Sequence, residues 1–176
     1  IAGSLKAAGL RASVGQGSLL ETRECRLTLA ALRYLNQGGD DLALTEIVHL
    51  SPGHGSNETW LRELTANPAK AKRAWREDPL IQGLDQGREG FGDRTPLEAL
   101  EFAIGKVGLL DSIPLRRDPE LAMRNLDLLR GLAGTYLSLC EAKRSAATVE
   151  GLLSYLKEEK PEQARSIGEE TIQVLT

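Results

Sequence analysis

The sequence predicts a mainly α-helical fold: a multi-helix domain with a short strand near its start and another at its close. Three observations predict it. Apolar residues recur three and four positions apart over most of the chain, several of these stretches open with helix-start signals, and the last run, "TIQVLT", differs from everything before it. Ile172, Gln173, Val174 and Leu175 form a β-prone, almost continuous apolar run, which suits a strand buried on both faces of a parallel sheet. No turn and no second strand follow it, so its sheet partners are expected in polypeptide beyond these residues.

Each element has its own warrant. "IAGSLKAAGL" fits a short amphipathic helix with Ile1, Leu5 and Ala8 on one side, closed by Gly9. "LRASV" reads as a brief strand and "GQGS" as a turn. From residue 21 to about 37, Cys25, Leu29, Leu32 and Leu35 keep helical spacing, and Gly38 and Gly39 stop the helix. Asp40 is a natural N-cap for "DLALTEIVHL", because its carboxylate accepts N–H groups that the first helical turn leaves orphaned. Pro52, Gly53 and Gly55 make "SPGHGSN" a loop; Ser56 or Asn57 then caps a helix carrying Trp60, Leu61 and Leu64. Residues 67–92 are polar and read as short helices and loops, with Trp75 as an anchor among charges.

The sharpest local signal is "RTPLEAL". Thr95 as N-cap, Pro96 at the first helical position and Glu98 at the third make a capping box, and Leu97, Leu100, Ile104 and Val107 build the stripe behind it. Asp118 and Pro119 start the longest helix, along which Ala122, Leu126, Leu129, Ala133, Tyr136 and Cys140 alternate spacings of four and three, a seam for packing on other helices. Gly131 and Gly134 weaken that helix by about 1 kcal/mol each relative to Ala and are expected to let a neighbouring helix come close. Thr148 begins one more helix, with Val149, Leu152, Leu153 and Leu156 inward.

Composition narrows the function classes. A chain of 176 residues, 41% hydrophobic and 27% charged, is globular rather than disordered, and at this length buries roughly 70% of its unfolded surface. No stretch approaches the ~18 uninterrupted apolar residues of a membrane span, so no membrane partner is expected. The N-terminus lacks the basic start and apolar core of a secretory signal. Cys25 and Cys140 lie far apart within helical patterns and read as buried reduced thiols, which points to a cytoplasmic location. A net charge of −3 gives no general attraction to nucleic acid, so any DNA contact must be local.

Catalytic constellations are missing from the sequence. Neither "GQGS" nor "GHGS" carries the Gly-Lys-Ser/Thr of a P-loop, there is no GxSxG elbow, and neither HExxH nor CxxC occurs. His49 and His54 have no acidic or thiol ligand at metal-binding spacing. The acidic pairs Asp40–Asp41 and Glu169–Glu170 read as caps and solvated faces. Two segments have chemistry suited to DNA. In "AKAKRAWR", Lys70, Lys72, Arg73 and Arg76 surround Trp75, and on a helix Lys72, Arg73 and Arg76 share a face; the same residues also read as a solvated surface over an inward Trp75. In "PGHGSNE", Gly53, His54, Gly55 and Ser56 precede a helix, where exposed backbone N–H groups and the positive dipole end suit a phosphate oxygen.

Taken in order, several segments resemble the UvrD/Rep and RecB/AddA group of superfamily 1 DNA helicases, in which a large helical insertion, the 2B subdomain, interrupts the second motor domain. "LKAAGLRASVGQGSLLETRECRLTLAALRYLNQGGDDLAL" resembles the way into that insertion, with its Ala-Leu-Arg-Tyr-Leu run and Asp-Asp start. "RNLDLLRGLAGTY" resembles the Arg-x-x-Asn-Leu helix late in it, "TVEGLLSYL" the helix after, and "TIQVLT" the strand that leads into the next helicase motif. The likeness covers most of the chain and is least clear over residues 67–94.

The resemblance implies a division into residues 1–20, a stub of the second motor domain; 21–168, the 2B-type insertion; and 169–176, the strand returning to the motor. It implies an ATP- and magnesium-dependent parent translocase whose partners are duplex or junction DNA, the rest of the motor and a further subunit, with an exonuclease module as an additional feature of the RecB-like branch. No cofactor is implied for this segment itself. Family members touch duplex DNA with a Gly-Ile-Gly loop, and Gly53-His54-Gly55 stands in the matching place with His for the aliphatic residue. The alternative reading is a helical protein–protein interaction module without nucleic acid, which an exposed seam from Ala122 to Cys140 would favour.

Overall fold

In the computed structural model, which describes residues 12–13, 17–51, 59–164 and 172–173, the helices begin where their caps put them. Two strands, β1 (Ala12–Ser13) and β2 (Ile172–Gln173), flank nine α-helices among the described residues. These are α1 (Arg23–Asn36), α2 (Asp41–Leu50), α3 (Thr59–Ala66), α4 (Pro68–Arg76), α5 (Pro79–Gln86), α6 (Pro96–Lys106), α7 (Leu109–Ser112), α8 (Pro119–Lys143) and α9 (Val149–Glu159). Short 3-10 turns lie at Leu19–Glu21, Phe91–Asp93 and Ile113–Leu115. The fold is mainly helical, as the periodicity predicts. The expected opening helix of residues 1–9, the first half of the "GQGS" turn and the loop of residues 52–58 lie outside the described residues.

The centre of the core is α1. Cys25, Leu27, Ala30, Ala31, Leu32, Tyr34 and Leu35 are all buried, so this helix is enclosed on more than one face, against α2, α6 and α8. Burial of each Leu contributes about 1.5–3 kcal/mol. The α6 capping box is complete: Thr95 N–H and Oγ1–H both donate to Glu98 Oε2, and Glu98 N–H donates back to Thr95 Oγ1. Asp40, Asp118 and Thr148 cap α2, α8 and α9 as their positions predict. The polar stretch 67–92 holds two short helices and the start of a 3-10 turn, as expected. Asn67 caps α4 and Asp78 caps α5, each followed by a Pro at the first helical position, the same signal that starts α6 and α8.

All six seam residues of α8 are buried, from Ala122 to Cys140. The glycines on that helix behave otherwise than expected. A Cβ at Gly131 or Gly134 would meet nothing within 4 Å, so neither marks a close approach. The close approach is at Gly151, in the first turn of α9, where an added Cβ would collide with the Tyr136 hydroxyl; that oxygen accepts the N–H of Thr148 at 3.3 Å. The absent side chain lets α9 start directly on the α8 tyrosine.

The closing strand, expected to find its partners elsewhere, pairs with β1. The pairing is parallel, Ala12 opposite Ile172 and Ser13 opposite Gln173. Nearer the helical body the two segments meet again, now antiparallel. Ser18 bridges to Glu162, Leu19 N–H donates to Pro161 O at 2.7 Å, and Gln163 N–H donates to Gly17 O at 3.0 Å. A buried polar relay fastens this neck. Glu24 accepts from Arg116 at 2.8 Å and from Asn125 Nδ2 at 2.7 Å, while Asn125 Oδ1 accepts the N–H of Ala164 at 2.8 Å. The Glu24 charge is tolerable in the interior because both of its oxygens have donors.

Candidate nucleic-acid interface

Helix α4 is set by its ends. Asn67 Oδ1 accepts the N–H of Lys70 at 3.0 Å, and Pro68 fixes the first helical position. Ala71 and Trp75 form its buried side, and the indole N–H of Trp75 donates to Glu63 Oε2 of α3 at 3.4 Å. Trp75 is therefore an anchor, and the basic residues are left outside. The four predicted cations divide into two pairs. Lys72 Nζ lies 2.6 Å from Asp41 Oδ2, and Arg76 lies 3.7 Å from Asp41 Oδ1. Lys70 and Arg73 are exposed on the neighbouring arc of the same helix.

Asp41 was not legible as part of this surface. Its position beside the cap residue Asp40 makes it read as a solvated first-turn carboxylate; instead it reaches from α2 to a helix some thirty positions later in the chain. Asp40 does cap α2, accepting from Ala43 N–H at 2.8 Å, and also faces Arg33 at 3.4 Å. Arg33 and Arg26 both pair with Glu46, which ties α1 to α2 along this side.

Gly53, His54, Gly55 and Ser56 lie outside the described residues, but the helices on either side of them are joined. The His49 ring of α2 packs on the Trp60 ring of α3, centroids 4.8 Å apart and tilted by 47°. Arg23 closes the end of α2 by donating twice to Leu50 O, at 3.1 and 2.9 Å. Beside that closure is a polar pocket of about 200 Å³ lined by Glu21, Arg23, Arg26, His49 and Leu50. These arginines were missed in the sequence, because their partners are twenty or more positions away.

Other chemistry is sparse among the described residues. No group of three or more His, Cys, Asp or Glu is placed to hold a metal ion, and no helix is long and apolar enough to cross a membrane. Cys25 and Cys140 are buried free thiols, and burial pushes the Cys25 thiol up to about 12. The seam of α8 is covered, so it is not an interaction surface. The opposite side of α8 carries a groove of about 680 Å³ whose lining includes Leu128, Gly131, Leu132, Thr135 and Ala164. No protein-family model matches this sequence, and no curated protein matches it either.

Proposed function

We propose that this chain is the 2B-type helical insertion of a superfamily 1 DNA helicase of the UvrD/Rep and RecB/AddA kind, a non-catalytic body that contacts duplex or junction DNA. The observation that carries this reading is the parallel pairing of β1 with β2, with the whole helical body as the crossover between them. Parallel neighbours require a long connection, and an insertion within a motor domain leaves and rejoins one sheet at adjacent strands. Two-residue strands are too short to stand as a sheet by themselves, so on this reading strands of the motor domain flank them. ATP and magnesium would be handled by that motor, not by these residues. The cytoplasm, a motor domain, a partner subunit and an attached exonuclease module belong to the same reading.

On this reading the helical body presents charge from a rigid support. Lys70 and Arg73 on α4, with the backbone of the Gly53-His54-Gly55 loop, would meet phosphate oxygens and position the protein without reading base sequence. With a net charge of −3 the affinity is weak and falls steeply as salt rises. The test is titration of the chain against a labelled duplex with a single-stranded tail. Lys70→Glu with Arg73→Glu should abolish binding, and bulky residues at Gly53 and Gly55 should weaken it; unchanged affinity in the glycine variants removes the loop from the interface.

A second reading, a helical protein-interaction module, is favoured by the exposed groove on α8, where Leu128 is 43% exposed. It predicts no DNA binding at any salt concentration. It also predicts that a partner subunit shifts the elution volume of the chain, and that a charge placed at Leu128 abolishes the shift.

A further inference from the structure

Asp41 is the first residue of α2, and its two carboxylate oxygens face two cations of another helix, Lys72 at 2.6 Å and Arg76 at 3.7 Å. The spacing resembles what a backbone phosphate would offer the same two side chains. Lys72 and Arg76 stand one helical turn apart on the edge of α4 toward α2, while Lys70 and Arg73 are exposed on the adjoining arc. All three members of the cluster keep contact with solvent, at 30% for Lys72, 50% for Arg76 and 48% for Asp41. Ion pairs with this much water around them are weak and exchange partners readily.

We propose that Asp41 is an internal counter-ion that occupies half of the basic face of α4 and so limits its grip on a phosphate backbone. The proposal rests on the reading of this face as a duplex contact. When DNA approaches, Lys70 and Arg73 exchange small cations for phosphates and release counter-ions to solution. Lys72 and Arg76 gain a phosphate only by leaving the Asp41 carboxylate to water or a small cation, so one of their two positive charges is cancelled. Any change that withdraws or neutralises Asp41 raises the net charge of this surface from that of three cations to that of four, with no rearrangement of the helices.

The salt dependence of binding separates these states. In titrations of a short fluorescein-labelled DNA duplex, Asp41→Asn is expected to bind roughly three- to tenfold tighter at low salt. Its log–log salt slope should steepen by about 0.9, the value for one further phosphate neutralised. Asp41→Glu keeps the charge and should behave as the wild type. Adding Lys72→Ala to Asp41→Asn should return the slope to the wild-type value, which a mere loosening of α2 would not do. If the wild type binds duplex and Asp41→Asn changes neither affinity nor slope, the counter-ion role is wrong while the DNA contact stands. If neither protein binds, the DNA contact itself is wrong and the proposal goes with it.

Discussion

Thr95, Glu98 and the two backbone groups between them show how much one short string of residues can determine. The Glu98 carboxyl is held below the usual carboxylate range, first by the backbone N–H of Thr95 and then by its hydroxyl. A lowered folded-state pKa contributes stability that is fully present above the ordinary carboxylate value and is lost as pH falls through the folded one. Urea melts of the wild type and Glu98→Gln should therefore differ at neutral pH and converge in acid; a difference that persists in acid would mean the box acts through packing alone. Caps of this kind were legible because donor and acceptor lie three residues apart. Asn67-Pro68 and Asp78-Pro79 carry the same start signal but open helices of only nine and eight residues, which bury two side chains each and leave little periodic pattern behind the cap. Asp41 was not legible at all, since nothing in its neighbours announces a partner on α4.

At the scale of elements, the register of α8 could be read from its own spacing, and all six residues of the seam are inside. What that spacing cannot contain is the surface opposite. Gly131 and Gly134 looked like points of close approach and face open space, whereas Gly151, unremarked in "TVEGLLSYL", is where the Tyr136 hydroxyl meets α9. Gly151→Ala should consequently destabilise the protein by about 1–3 kcal/mol, the usual range for forcing extra atoms into a packed contact, despite Ala being the better helix former. Gly131→Ala, with nothing to strike, should stabilise by up to about 1 kcal/mol. Denaturant melts of the two variants give opposite signs if the contact at Gly151 governs; equal signs would contradict this account of the α8–α9 junction.

For the molecule as a whole, the distribution of buried apolar residues decides what holds it together. Among the residues whose burial is described, every member of the core lies between Leu19 and Leu156. A chain limited to residues 17–164 should keep its far-UV helical signal and a single cooperative thermal transition; loss of cooperativity would show that the flanking strands share in the core. The helical class of the fold was legible from periodicity alone, while the pairing of β1 with β2 was not, because partners 160 positions apart leave no mark on either local sequence. The neck between Gly17 and Gln163 also has a practical consequence. Its two backbones are already a hydrogen bond apart, so this helical body is shaped like a cassette: spliced into a surface loop of an unrelated carrier, it would demand a gap no wider than a hairpin.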